Sequence, residues 1–374
     1  MDFLQVLILF LLLLLFLNFL QNIQKLKAQK KLRLKESLPL ISVLIPARNE
    51  ERNIKTCLTS LLRQNYPNWE IIVLDDNSSD QTYKIAKELS CQSHRIKVFK
   101  GKKLPPGWNG KNWACHQLSQ QAKGEWLIFT DADTNHRPNS ISLAFAAARK
   151  NKSVFVTLIP GLIAKTWSEK LVLPIIHFAF LVLVPFKLIN YSKDCRLAFA
   201  IGPFMMIKKD FYFSFGGYEI IKKEIVDDFA LAKTVKKNKG KITILDGTKF
   251  MKVRFYINFR ELWHGLSKNT YPAIGSSPHY LACLLLGCYF LFIYPYLSLW
   301  WAFESHQNLT FPLLQVVTIS AMKIILAIRF KTSLFFGLLH PFSVILTLMI
   351  LLNSFRLSLF KKKFAWKERL YPIE

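Results

Sequence analysis

The stretch GEWLIFTDADT (124–134) joins an apolar run to two closely spaced acids. Residues 126–129 are uncharged and apolar, and Asp131 and Asp133 follow almost at once. Short apolar runs bounded by polar residues are typical of buried strands in parallel sheets. Because ligands bind at the carboxyl ends of such strands, we predict that both aspartates face a binding crevice.

The same alternation extends over residues 40–160. Short apolar runs predict strands at 41–45, 70–75, 96–99, 126–130 and 153–159. Helical spacing of apolar residues predicts helices at 50–64, 79–90, 112–123 and 138–150. Strands separated by helices indicate an α/β fold, in which a mostly parallel sheet carries helices on both faces.

Polar residues follow the first predicted strand in IPARNEERN (45–53). A dinucleotide-binding turn would need glycines here, and Glu50 and Glu51 would repel a phosphate at the start of the next helix. Pro46 fixes a turn, and Arg48 and Glu50 offer hydrogen-bonding groups to a neutral ring such as a base. Capping of the helix accounts for the stretch equally well.

Acidic residues also end the second and fourth predicted strands. Asp75 and Asp76 end the second, and Asp131 and Asp133 follow the fourth. If the extended conformation persists, side chains two residues apart point to one face, so Asp131 and Asp133 can act together. Their mutual repulsion costs stability unless a cation offsets it, and carboxylates combined with a substrate's phosphates suit Mg²⁺ or Mn²⁺.

Three segments in this order resemble family 2 glycosyltransferases of the GT-A fold: ISVLIPARNEERNI (41–54), IIVLDDNSSDQT (71–82) and GEWLIFTDADT (124–134). LPPGWNGKNWACHQL (104–118) is similar to membrane-bound members that glycosylate carotenoid acids or accompany hopanoid synthesis. The resemblance extends over about residues 40–270, and it is strongest over 40–135. It implies a nucleotide-sugar donor, expected to be a UDP-sugar.

The resemblance also implies roles for individual residues. Pro46, Arg48 and Glu50 would lie in the nucleotide-sugar loop, and Asp76 would contact the base. Asp131 would lie near the ribose, and Asp133, the second acid of an Asp-x-Asp motif, would bind a divalent metal on the diphosphate. Lys111 is a further candidate for a phosphate or sugar contact, although a surface lysine explains it equally well.

The acceptor half is marked by EIVDDFALAKTVKKNKG (224–240), which resembles the family's acidic pair before a helix. The resemblance implies that Asp228, beside Asp227, is the general base of a single inverting displacement. A pair of acids that only stabilises the helix amino terminus is the alternative. Upstream, AIGPFMMIKKDFYFSFGGYE (200–219) resembles the strand and Gly-Gly turn that frame the acceptor site.

NFRELWHGLSKN (258–269) departs from the family's processive synthases, because it lacks their Gln-x-x-Arg-Trp motif. A single transfer is therefore favoured over long-chain polymerisation. Arg260 and Lys268 remain candidates to neutralise the departing diphosphate.

Apolar segments at both ends predict an integral membrane protein. Residues 3–20 carry no charge and can cross a bilayer, and basic residues follow them. By the positive-inside rule this places the catalytic region in the cytoplasm, at the plasma membrane or another cellular membrane. The net charge is +27, and the basic residues lie beside membrane segments. They show no nucleic-acid-binding motif, so nucleic-acid binding is disfavoured.

We therefore predict five parts: an anchor at 1–21, a basic linker at 22–39, the GT-A domain at 40–270, transmembrane segments within 279–355 and a basic tail at 356–374. Residues 171–186, which contain two prolines, are predicted to form an interfacial helix. Four full spans would place the basic tail outside the cell, against the charge rule, so the topology of the carboxyl-terminal segments stays open.

The predicted function is metal-dependent, inverting transfer of a sugar to a membrane lipid of carotenoid or hopanoid type. A polyprenyl-phosphate sugar transferase or a polysaccharide synthase shares the donor motifs and differs in its acceptor. A membrane scaffold that keeps the fold without catalysis is the third alternative.

Overall fold

The computed structural model of the chain describes residues 2–26, 38–192, 194–360, 364–366 and 369–371. Parts of the predicted basic linker and basic tail, including the basic residues at 27, 30, 31, 33, 35, 361–363 and 367, lie outside these residues.

A sheet of eight strands forms the centre of the fold. In chain order the strands are β1 (Ile41–Ala47), β2 (Trp69–Asp75), β3 (Ile96–Lys100), β4 (Trp126–Phe129), β5 (Thr134–His136), β6 (Phe155–Leu162), β7 (Met205–Lys208) and β8 (Ile242–Val253). They lie side by side in the order β3-β2-β1-β4-β7-β6-β8-β5. Four of the seven pairings are parallel, whereas β7 runs antiparallel to both of its neighbours and β5 antiparallel to β8. The sheet is therefore mixed, with a parallel half built from β1–β4.

Fifteen helices are described. They are α1 (Asp2–Lys25), α2 (Ile54–Leu62), α3 (Thr82–Gln92), α4 (Gly110–Gln121), α5 (Ser140–Asn151), α6 (Trp167–Leu183), α7 (Phe186–Tyr191), α8 (Lys209–Ser214), α9 (Asp227–Lys237), α10 (Phe259–Ala273), α11 (Pro278–Phe292), α12 (Tyr294–Glu304), α13 (Thr310–Phe330), α14 (Leu334–Leu338) and α15 (His340–Leu359). A two-stranded hairpin follows, formed by β9 (Phe364–Trp366) and β10 (Arg369–Tyr371).

Helices cover both faces of the sheet, as the apolar pattern predicts. Successive side chains of a strand point to opposite faces. Val43 and Ile45 of β1 accordingly lie in the core that includes residues of α2, α3 and α5, whereas Leu44 lies in the core that includes residues of α4 and α9. The prediction of an α/β domain with two helical layers is confirmed.

Four helical segments are long and apolar enough to cross a membrane: Phe3–Lys25, Pro278–Glu304, Thr310–Phe330 and His340–Leu359. The second comprises α11 and α12, which are separated at Ile293. The first overlaps the predicted anchor and the other three overlap the region 279–355, so apolar helices of spanning length occur at both ends as predicted.

The predicted interfacial segment, 171–186, falls largely within α6. This helix begins with a capping box, in which Thr166 and Glu169 bond each other's backbone. It packs against α1, α13, α14 and α15, and His177 Nε2 lies 3.2 Å from the carbonyl of Pro160 in β6, so the helix contacts both the long helices and the sheet. Its position relative to a bilayer stays a prediction.

Side chains from the long helices tie them to the rest of the fold. Near the end of α1, Asn18 Nδ2 donates to the carbonyl of Val182 at 2.8 Å, and Asn22 Nδ2 donates to that of Leu181 at 2.8 Å. In the last turn of α13, the guanidinium of Arg329 pairs with the buried carboxylate of Asp246 in β8. Polar contacts thus join α1 to α6 and α13 to the sheet.

Candidate active site

A cavity of ≈ 1340 Å³ opens where β1 and β4 end. Its lining comes from the loops after these strands, from the starts of α4 and α9, from α6, and from the segment that leads from β8 into α10. Ten of the eleven predicted site residues line it: Pro46, Arg48, Glu50, Lys111, Asp131, Asp133, Asp227, Asp228, Arg260 and Lys268.

Asp76 is the exception among the predicted residues. Its side chain is 2% exposed, and its backbone N–H donates to the carbonyl of Ala47 at 2.8 Å. Arg48 reaches across to this loop, where its guanidinium donates to the backbone carbonyls of Asp76 and Asn77. Hydrogen bonds therefore join the loops after β1 and β2. The acidic residue of the second loop that lines the cavity is Asp80.

The two aspartates of the fourth strand lie in a turn and not on an extended strand. β4 ends at Phe129, and Ala132 and Asp133 form the turn that leads into β5. The extended conformation that would align Asp131 with Asp133 along a strand therefore does not persist to residue 133. Both carboxylates nevertheless line the cavity, because the chain reverses there.

A network of buried hydrogen bonds stabilises this turn. The hydroxyl of Thr134 donates to the carbonyl of Asp131 at 2.7 Å, and that of Thr130 donates to the carbonyl of Pro203 at 2.7 Å. His136 Nε2 lies 2.9 Å from the Thr134 hydroxyl and 3.1 Å from that of Thr130. Buried polar groups that are satisfied in this way fix a single conformation.

Lys111 connects the predicted donor and acceptor residues. Its ammonium lies 2.9 Å from Asp131 Oδ1 and 3.4 Å from Asp227 Oδ1. Burial alone would lower the pKa of Lys111, but the two carboxylates outweigh that effect and hold its pKa well above the ordinary value. The lysine is charged in this environment and neutralises part of the acidic cluster.

Asp228 is placed by two backbone amides at the start of α9. The N–H groups of Gly202 and Phe229 each donate to its carboxylate at 2.8 Å. Burial and the neighbouring charge of Asp227 raise the pKa of Asp228 to about 7, against the opposing effect of Lys111 and the two amides. A carboxylate with a pKa near neutrality is suited to accept a proton in catalysis.

Asp227 faces the interior beside Asp228. The phenol of Tyr218, a fully buried side chain, donates to Asp227 Oδ2 at 3.0 Å. Tyr218 belongs to the predicted Gly-Gly turn, whose residues Gly216 and Gly217 have φ angles of +89° and +58°. At these angles a side chain would be strained, so glycine is required for the turn.

The leaving-group candidates on α10 differ in environment. Arg260 is exposed on the cavity rim, whereas Lys268 is partly buried farther along the helix. Burial and the charge of Lys111 lower the pKa of Lys268 to about 8, although Asp227 and Asp131 oppose the shift. Lys268 therefore belongs to the same electrostatic cluster.

The residues available for a metal ion are few. Within the described ranges, no three His, Cys, Asp or Glu side chains come together as a metal site. Asp131 is paired with Lys111, and Asp133, which lines the same cavity, remains the predicted metal ligand. The oxygen donors of Asp133 and of a bound diphosphate together suit a hard divalent cation.

Several cavity residues were not predicted. Arg254 and Tyr256 follow β8, and the Arg254 guanidinium lies 3.0 Å from the buried Glu169 carboxylate of α6. His177 of α6 also lines the cavity. The Thr-x-x-Glu motif at 166–169 marks the start of α6 in the sequence, but no local signal brings that helix to the cavity.

Residues 42–213 match the profile of glycosyl transferase family 2. The chain is 26% identical over 348 residues to a 4,4'-diaponeurosporenoate glycosyltransferase of Staphylococcus haemolyticus, with 91% of this chain and 90% of that protein aligned. It is also 26% identical over 251 residues to the Staphylococcus aureus protein of the same name, with 66% of this chain and 65% of that protein aligned.

Among solved structures, the mannosyltransferase PcManGT from Pyrobaculum calidifontis, in complex with GDP-Man and Mn²⁺, has a TM-score of 0.50 at 15% identity. The match covers 92% of this chain and 99% of that chain. At this identity the likeness shows the GT-A fold alone, and the profile match over residues 42–213 carries the family assignment of that segment. Residues 42–213 form a glycosyl transferase family 2 domain, and the chain is a glycosyltransferase.

Proposed function

We propose that the chain transfers a sugar from a nucleotide-sugar donor to a lipid acceptor at a membrane, with inversion at the anomeric carbon. The observation that carries this proposal is the cluster of Asp131, Lys111, Asp227 and Asp228 in one cavity. It joins the residues expected to bind the donor to the residue expected to activate the acceptor.

The donor would bind along the loops after β1 and β4. Arg48 and Glu50 line this part of the cavity and would face the base, with Asp131 near the ribose and Asp133 near the diphosphate. A divalent cation held by Asp133 would supply charge neutralisation of the departing diphosphate. Lys268 and Arg260 would add positive charge beside the same leaving group.

In the reaction, the acceptor oxygen forms a bond to the anomeric carbon while the bond from that carbon to the diphosphate oxygen breaks. For a hydroxyl acceptor, the proton passes to the carboxylate of Asp228. The amides of Gly202 and Phe229 hold that carboxylate in place. Asp228 must therefore be ionised before the reaction, which its pKa of about 7 allows at and above neutral pH.

The acceptor would be a carotenoid or hopanoid type of lipid. The two relatives are named for transfer to 4,4'-diaponeurosporenoate, which supports a long apolar acceptor. Four helices of membrane-spanning length support an enzyme that stays with its acceptor in the bilayer. The positive-inside rule supports a cytosolic catalytic domain.

The contribution of Asp228 to catalysis depends on the head group of the acceptor. A hydroxyl must lose its proton during the transfer, whereas a carboxylate is already ionised at neutral pH and needs no base. Replacement of Asp228 by asparagine therefore separates the two cases. With a hydroxyl acceptor we expect kcat/KM to fall by about 10²–10⁴-fold, and with a carboxylate acceptor it should change much less.

The test uses the full chain in lipid nanodiscs with Mn²⁺ or Mg²⁺. Labelled UDP- and GDP-hexoses are supplied as donors, with retinol, retinoic acid or total membrane lipid as acceptor, and label in the organic phase is measured. Asp210→Asn, an exposed aspartate in α8, is the matched control for Asp228→Asn. Label confined to soluble product or to polymer would refute a lipid acceptor, and unchanged transfer to retinol by Asp228→Asn would refute the base.

A further inference from the structure

One part of the cavity is apolar and has no role in the chemistry described above. We call it the α6 wall, and it consists of Leu162, Ile176, His177, Phe180 and Ile201. None of these side chains carries a charge at neutral pH, since burial lowers the pKa of His177 to about 4. The wall contrasts with the charged residues elsewhere in the lining, such as Lys111, Asp131 and Asp228.

Side chains of α6 have neighbours of two kinds. Ile176, His177 and Phe180 line the cavity. Phe178 instead packs its ring 5.5 Å from that of Phe292 in α11, and the carbonyl of Val182 accepts a hydrogen bond from Asn18 of α1. The same helix thus contacts the active-site cavity and two helices of membrane-spanning length.

Short contacts connect the α6 wall to Asp228. Ile201 precedes Gly202, whose N–H donates to the Asp228 carboxylate at 2.8 Å. The Phe180 ring lies 4.7 Å from the Phe199 ring, which in turn lies 5.7 Å from the ring of Phe229, the residue after Asp228. An apolar molecule lying on the wall would therefore have its end near the candidate base.

We propose that the α6 wall binds the apolar body of the acceptor lipid, with Ile176 and Phe180 determining which acceptors fit. This inference rests on the proposed transfer to a lipid. The uncharged wall favours a hydrocarbon body over a sugar chain or a peptide, because polar groups would lose hydrogen bonds to water there. Since α6 contacts the long helices, a lipid can pass from the bilayer side to Asp228 along one helix.

The partly exposed side chains of Ile176 and Phe180 give the expected magnitudes. A lipid that covers an aromatic ring removes apolar surface from water, which stabilises the complex. Phe180→Ala is expected to raise the KM for retinol about tenfold, which corresponds to about 1.4 kcal/mol. Ile176→Trp should fill the cavity and reduce transfer to retinol while sparing the slender chain of n-decanol.

The experiment measures kinetics for both substrates with the full chain in nanodiscs. Retinol, n-decanol and total membrane lipid are the acceptors, and the KM for the nucleotide sugar is measured separately. Leu183→Ala and Leu183→Trp are matched controls, because Leu183 is 48% exposed on α6 and lies outside the cavity lining. Thermal unfolding of each variant shows whether it is folded.

The expected result is a change in acceptor KM or acceptor preference in the Ile176 and Phe180 variants, with the donor KM and the Leu183 variants unchanged. Ile176→Trp keeps the test valid if Phe180→Ala unfolds through loss of its contact with Phe199. Acceptor kinetics that match wild type in every folded variant would refute the binding of the acceptor by the α6 wall and leave the proposed function intact. A wild-type chain that labels no lipid would refute the proposed function and the wall together.

Discussion

Replacement of Lys111 by methionine tests whether the charge cluster controls the candidate base. A Cβ atom placed on Gly202 would lie 3.5 Å from Lys111 Nζ and 3.6 Å from Asp228 Oδ2. The two atoms are therefore at most about 7 Å apart, and at an effective dielectric constant near 20 the lower limit of their attraction is about 2.4 kcal/mol. Loss of the ammonium should raise the pKa of Asp228 by about 1.7 units.

The consequence for activity depends on pH. With a pKa of about 7, Asp228 is about half ionised at pH 7 in the wild type, and the substitution would leave only about 2% ionised. Transfer to a hydroxyl acceptor should then fall about 25-fold at pH 7 and recover as the pH rises toward about 9. The other charges near Asp228, those of Asp227, Asp131 and Lys268, stay in place.

The assay is the pH profile of kcat/KM for retinol at saturating nucleotide sugar. Wild type should rise to a plateau through a pKa of about 7, Lys111→Met should rise through a higher pKa, and Lys111→Arg, which keeps the charge, should resemble wild type. A loss of the same size at every pH would show that Lys111 acts only by binding the donor. That result would refute the electrostatic link to Asp228.

Three further substitutions test the predicted metal ligand, the hydrogen bond from Tyr218 to Asp227 and the ion pair between α13 and β8. Asp133→Ala should weaken the activation by Mn²⁺ about a hundredfold or more, measured as a metal titration of transfer. Tyr218→Phe removes the donor to buried Asp227 and should lower the free energy of unfolding by about 1.5–3 kcal/mol, measured as a reduced Tm in detergent. Arg329→Met leaves the buried Asp246 carboxylate without its cation and should cost about 3–5 kcal/mol by the same measurement.

Each of these expectations has an outcome that contradicts it. An unchanged Mn²⁺ titration in Asp133→Ala would place the metal elsewhere or remove it from the reaction. A Tm within error of wild type in Tyr218→Phe would show that Asp227 gains nothing from the phenol. For Arg329, the double variant with Asp246→Asn should recover part of the loss, and no recovery would mean that the arginine acts through its contact with α1 at Leu26.

The parallel half of the sheet could be predicted because each of its strands has a local signature. Residues 41–45 and 126–129 are continuous apolar runs, and parallel strands bring their carboxyl ends to one edge. That rule is enough to place Arg48, Asp131 and Asp133 at one cavity. The charged cluster around Lys111 needed the resemblance as well, since a lone lysine in a sequence is most often a surface residue.

The parts that escaped prediction depend on contacts between distant segments. β4 ends at Phe129, and the turn that follows is held by hydrogen bonds among Thr130, Thr134 and His136. Arg254 reaches the cavity because it directly follows the end of β8, where residues 251–253 pair with β5. Neither effect has a signal within a short window of sequence.

The hydrogen bonds from α1 to the end of α6 bear on how the enzyme can be prepared. Deleting α1 to obtain a soluble catalytic domain would expose the carbonyls of Leu181, Val182 and Val184, which Asn18 and Asn22 now satisfy. It would also uncover the fully buried ring of Phe19. During synthesis, α1 emerges long before α6, so this docking must wait until most of the catalytic domain has been translated.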